Sequence, residues 1–126
     1  MRAIDTNVVV RLIIRDNPAQ SASAEAFIEN GAWLSLLALA ETVWVLGFSY
    51  QMDAAAQAEA IGMLLKHRSI VLQDAEAVEA ALRSFRSRPS VGFSDWLLLE
   101  IARKAGHLPL GTFDRALGRA DGAHRL

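Results

Sequence analysis

The chain has no cysteine, no apolar run long enough to span a bilayer and no excess of positive charge. Without cysteine there are no disulfides, thiolate zinc sites or cysteine nucleophiles, and the composition suits a reducing compartment. The longest apolar stretch is broken by Glu41, so no membrane helix is expected. Met1–Asp5 reaches an acid before any apolar signal-peptide core can form, which points to a soluble, cytoplasmic domain. A net charge of -1 excludes a surface uniformly coated in positive charge, although a local basic patch is compatible with it. Repeats, low-complexity tracts and linkers are also absent. The three histidines, His67, His107 and His124, show no metal-binding spacing and read as surface or structural.

What remains is 126 residues, of which 52% are apolar, enough for one domain with a sizeable core and too few for two. Residues 1–126 are therefore expected to form a single domain. Short strands are expected at Arg2–Asp5, Ala32–Ser35, Ser69–Gln73 and His107–Thr112, with a stub at Ala123–Leu126. Helices are expected over Val8–Arg15, from Pro18 to Asn30, and over Leu37–Phe48, Ala54–His67, Asp74 to about Arg86, Asp95–Ala105 and, briefly, Asp114–Arg119. Asp53, Asp74 and Ser94 fit as helix caps, and Gly31 and Gly106 as helix stops. Strands alternating with helices of this length indicate an α/β/α sandwich around a short parallel sheet. Pro109 cannot donate to a sheet ladder, so its strand should lie at an edge or be irregular there.

In open parallel sheets, sites form beyond the carboxyl ends of the strands. Asp5 closes the first strand, and Asp114 follows the strand ending at Thr112, in Gly111-Thr112-Phe113-Asp114. Both positions also suit a helix cap or a turn, and that reading stays open. Glu41 is the only charge between Leu34 and Phe48. At about 100° per residue it shares a helix face with Leu37, Trp44 and Phe48. On this apolar face, expected to be buried, an ionised carboxylate is expensive unless a cation meets it, either an arginine in a buried ion pair or a metal. Trp33, Trp44 and Phe48 suit the core or a dimer surface, with the core as the default. Asp95 falls in the apolar arc of its helix with Leu99 and Ala102, whereas Glu100 shares a charged face with Arg103 and Lys104 and suits an i,i+4 pair with the latter. An acid in a first helical turn is also favoured by the dipole alone. No other acid combines an apolar face or strand-end position with a route to one rim. Four carboxylates, Asp5, Glu41, Asp95 and Asp114, are thus expected to hold a hard divalent ion, Mg²⁺ or Mn²⁺ rather than zinc.

Arg2-Ala-Ile-Asp-Thr-Asn-Val-Val-Val, the expected buried Glu41 helix, Phe93-Ser-Asp-Trp-Leu-Leu-Leu and Gly111-Thr-Phe-Asp-Arg together resemble the PIN-domain ribonucleases, and within them the VapC toxins of bacterial toxin–antitoxin pairs. The resemblance covers essentially the whole chain, including the order and spacing of the four acids. It implies metal-dependent endonucleolytic cleavage of RNA on a PIN-like fold. Asp5 and Asp95 correspond to the principal metal ligands, with Glu41 and Asp114 completing the catalytic set. Asn7 and Thr112 match supporting positions that orient carboxylates or water. A homodimer and a small antitoxin partner are also implied. Pro109 departs from the family pattern, within the strand that precedes Asp114.

RNA approaching an acidic rim needs positive charge around it. Arg83, Arg86 and Arg88 precede the Asp95 helix, Arg11 and Arg15 follow Asp5, and Arg115 follows Asp114. These six are the candidate phosphate contacts, with solvated surface as the alternative for each. Three other functions compete. A haloacid-dehalogenase-type phosphotransferase needs an acid at position 7, where this chain has Asn7, and a strand-end lysine, whereas Lys66 and Lys104 both fall on helices. A non-catalytic acidic module would grip a basic partner without binding metal or cutting RNA. A housekeeping RNA-processing nuclease would share the site but lack an antitoxin.

Overall fold

Three short strands pair in parallel in the order β1 (Arg2–Ile4), β2 (Ala32–Leu34), β3 (Ile70–Leu72) in the computed structural model, which describes all 126 residues. Parallel neighbours cannot be joined by tight turns, so helices carry each crossover. Helices α1 (Thr6–Ile14) and α2 (Pro18–Ile28) link β1 to β2, and α3 (Leu36–Ser49) and α4 (Ala54–Lys66) link β2 to β3. These elements make up one compact unit, Met1–Ala75. In β2, Ala32 and Leu34 are fully buried, and Leu34 lies in register with Ile4 on one side and Leu72 on the other. Period-2 alternation sends Trp33 and Val71, also in register, to the opposite face, where both are partly exposed.

The second unit, Glu76–Leu126, holds α5 (Ala75–Ser87, apart from its first residue), α6 (Phe93–Ala105) and a separate parallel pair, β4 (Leu110–Thr112) and β5 (Ala123–Arg125). A 3₁₀ turn at Leu117–Arg119 joins the two strands. Phe85 of α5 and Phe93 of α6 meet edge to face at 6.0 Å between ring centroids, and both are buried. The C-terminal stub is therefore a paired strand, with Leu110 opposite Ala123 and Thr112 opposite Arg125. Strand β4 begins immediately after Pro109, as the missing N–H requires, and β5 is its only sheet neighbour.

Most helix boundaries obey their caps. Asn17 accepts from the Gln20 N–H with Pro18 at the first helical position, Ser35 accepts from Ala38, and Asp53 from Ala56. Gly106 ends α6 in the left-handed conformation, φ 83°, and passes its N–H back to the carbonyls of Ala102 and Arg103. Ser94 is not the cap of α6. That helix starts one residue before it, after Gly92, and has no side-chain cap.

Helix α3 is sided in a way that its uniformly apolar sequence conceals. Ala38, Leu39, Thr42, Val43 and Leu46 are buried, the Thr42 hydroxyl being satisfied by the Ala38 carbonyl at 2.7 Å. The opposite arc, Leu37, Trp44 and Phe48, is 72%, 63% and 70% exposed, so these two aromatics do not belong to the core. Their rings stack on one another instead, at 4.9 Å and 8°. Truncating the two arcs should therefore differ sharply. Leu46→Ala should cost about 2–5 kcal/mol in urea unfolding followed by circular dichroism, and Phe48→Ala less than about 1 kcal/mol.

Candidate active site

Each of the four acids sits where strand or helix geometry presents it. Asp5 follows the carboxyl end of β1 and is the N-cap of α1, its Oδ1 accepting from the Val8 N–H at 3.1 Å. The cap and the strand-end position are thus one and the same. Glu41 lies on α3, but on the exposed arc with Leu37, Trp44 and Phe48. The wheel grouped these residues correctly, yet the group faces solvent, so Glu41 does not require a cation by reason of burial. Its Oε2 accepts instead from the hydroxyl of Thr6 at 2.8 Å. Asp5 and Glu41 are consequently joined through the first residue of α1.

In the second unit, Asp95 occupies the first turn of α6 and is half-buried. Asp114 lies just beyond β4 and is exposed. Its Oδ1 accepts from the Leu117 N–H at 2.7 Å, and its own N–H donates to the Thr112 hydroxyl at 3.0 Å. The Thr112 hydroxyl thus shapes the backbone on which Asp114 sits. Burial, followed by the negative charge of Asp114, holds the Asp95 carboxyl above the usual aspartate range. Within neither unit do three or more His, Asp or Glu side chains stand close enough together to hold a metal ion.

The supporting residues divide. Asn7 is exposed and lines a groove of about 410 Å³ with Asp5, Val8, Arg11, Gln20, Ser23, Ala24 and Phe27. A second cleft of about 540 Å³, lined in part by Glu25, Glu29, His67 and Arg68, holds none of the four acids. Arg11 is ion-paired to Asp16 at 2.7 Å, and Arg15 to Glu25. Arg88 donates to the Ala116 carbonyl and lies 5.5 Å from the Trp96 ring centroid, which makes it an anchor of its own loop. These three guanidinium groups are engaged within the chain, whereas Arg83, Arg86 and Arg115 are exposed. Glu100 pairs with Arg103 at 3.6 Å, an i,i+3 contact on the charged face of α6. Two residues escaped sequence reasoning. Thr6 could have been found from its place directly after a strand-end Asp; Gln73, whose Oε1 accepts from the Leu36 N–H at 3.0 Å, gave no local signal.

The raised Asp95 pKa has a definite consequence for pH dependence. Because the folded value lies above the unfolded one, this group favours folding fully below the ordinary aspartate range. That contribution is lost as pH rises through the folded value. In protein stripped of divalent ions, Asp95→Asn should flatten this decline in melting temperature and be no less stable than wild type at pH 7. Asp114→Asn should move the Asp95 titration, followed by carboxyl ¹³C NMR, down toward its ordinary value. An unmoved titration would exclude the Asp114 contribution.

The chain matches the PIN domain family over residues 3–123, a span that includes all four acids. It matches no curated protein and no solved structure. Helices alternating with a short parallel sheet of three strands agree with that match. This chain belongs to the PIN domain family, whose members are generally metal-dependent nucleases acting on RNA.

Proposed function

We propose that this protein is an Mg²⁺- or Mn²⁺-dependent endoribonuclease and the toxin of a toxin–antitoxin pair, cytoplasmic, homodimeric and neutralised by a small cognate antitoxin. The observation that carries the nuclease reading is the family match over nearly the whole chain, with Asp5, Glu41, Asp95 and Asp114 all inside the matched span. The donor set suits a hard divalent ion: four carboxylates and no thiol. The negative charge of Asp114 near Asp95 adds support, since a carboxylate whose ionised form is disfavoured by a neighbouring negative charge is relieved by a cation. The VapC-type motifs quoted above support the toxin reading.

In this reading Asp5 and Asp95 are the principal ligands, with Glu41 and Asp114 completing the set. When bound, the ion supplies Lewis-acid polarisation of the scissile phosphate and acidifies the attacking water. Asp5 enters that role already oriented, because the Val8 N–H holds one of its oxygens and leaves the other available. Asp114 is likewise fixed by the Leu117 N–H. Glu41 or Asp114 accepts the proton of the attacking water, directly or through a second water. Arg83, Arg86 and Arg115, being exposed, are the better phosphate contacts. Arg11, Arg15 and Arg88 would have to give up existing partners first.

Asp5→Asn and Asp95→Asn should each lower RNA cleavage on the order of 10²-fold or more, beyond the loss typical of groups that only support a ligand. Both should leave the far-ultraviolet spectrum intact, and EDTA should abolish wild-type cleavage. Full activity in a well-folded Asp5→Asn/Asp95→Asn double variant would sink the site assignment. Sequencing RNA 5′ ends after induction, with and without Asp5, identifies the target. Growth arrest that needs Asp5 and is reversed by a small protein encoded alongside supports the toxin reading, and RNA maturation without arrest favours a processing nuclease.

A further inference from the structure

Thr6 is the residue through which the two acids of the first unit are connected. It directly follows Asp5, opens α1, and donates its hydroxyl to Glu41 Oε2 at 2.8 Å across 35 residues of sequence. Helix α1 packs on α3, which brings the first turn of one beside the second turn of the other. We propose that Thr6 is a positioning residue, which acts through Glu41 and not by touching substrate. The inference rests on the metal-nuclease reading above and assigns a role within it.

Glu41 is an exposed side chain with several rotatable bonds, and nothing else in the chain holds its carboxylate. Left alone it would sample many rotamers, and fixing it at the moment of binding would cost conformational entropy. Thr6 is suited to supply that order beforehand. Threonine is β-branched, so its χ1 is confined to few rotamers, and the bond to Glu41 selects one of them. A carboxylate can only accept, so the bond is charge-assisted with Thr6 as donor. It engages Oε2 and leaves Oε1 for an ion or a proton. The N-cap bond from Val8 to Asp5 lies in the same helical turn, so a single rigid turn orients both acids. A bond this exposed contributes little to global stability, which separates positioning from mere structural support.

The test compares wild type with Thr6→Val, Thr6→Ser, Asp5→Asn, Glu41→Gln and Thr6→Val/Glu41→Gln. Mn²⁺ affinity is read by electron paramagnetic resonance, and RNA cleavage and thermal melting are read alongside. Thr6→Val keeps the branched shape without the hydroxyl. It should weaken Mn²⁺ binding and lower kcat/KM by about 10–100-fold at an unchanged melting temperature, as loss of an outer ligand partner does. Thr6→Ser should restore most of both. In the Glu41→Gln background, Thr6→Val should cost no further Mn²⁺ affinity, because its effect runs through the carboxylate. Wild-type behaviour of Thr6→Val, failure of Thr6→Ser to rescue, or an undiminished effect without Glu41 would each overturn the positioning role. If Asp5→Asn and Glu41→Gln cleave at wild-type rates, the nuclease site itself is wrong and this role falls with it. If they fail while Thr6→Val does not, only this role is wrong.

Discussion

Parallel pairing of three-residue strands constrains everything in the first unit. Each strand has too few backbone groups to be stable alone, and β2 satisfies its own by bonding to β1 on one side and β3 on the other. Parallel order then forces every connection through helices, so each strand's carboxyl end opens directly into a helix N-terminus. Asp5 at the end of β1 and Ser35 at the end of β2 are both such junctions, and both side chains cap the helix that follows. Gln73, just past β3, reaches back to the Leu36 N–H and ties the third junction to the second.

This geometry lets an acid cap a helix and still keep a carboxylate oxygen free. A cap uses one oxygen of a carboxylate, as Asp5 does with Val8 and Asp114 with Leu117, and leaves the other unengaged. The helix N-terminus also favours negative charge, which lowers the cost of keeping an acid ionised there. Asp95 shows the opposing pressure. It too lies in a first turn, but burial and the neighbouring charge of Asp114 outweigh the dipole and favour protonation.

The arginines illustrate how weak linear proximity is as a guide to function. Six were near an acid in sequence, yet Arg11, Arg15 and Arg88 are committed to Asp16, Glu25 and the Ala116 carbonyl. A guanidinium with several donors takes the nearest acceptor, and position along the chain does not reveal whether that acceptor is internal. Glu41 shows the same limit from the other side. Its helical neighbours were read correctly from a 3.6-residue period, but a helix apolar on nearly every face carries no signal as to which arc turns inward.

What the sequence determined by itself was local: the strands and helices, the caps at Asn17 and Asp53, the stop at Gly106, and the placing of Asp5 and Asp114 just beyond strand ends. These follow from period, propensity and capping chemistry acting within a few residues, and they sufficed to expose the family resemblance. Tertiary structure alone decided which partners meet across long separations. It turned Leu37, Trp44 and Phe48 toward solvent, made a strand of the C-terminal stub by pairing it with β4, and set Asp114 close enough to Asp95 to shift its titration. As candidates, the four carboxylates were legible because acids at strand ends and in otherwise apolar helices stand out against their neighbours. That Thr6 holds one of them was not, because a hydrogen bond across 35 residues depends on how α1 lies on α3, and no local pattern encodes that.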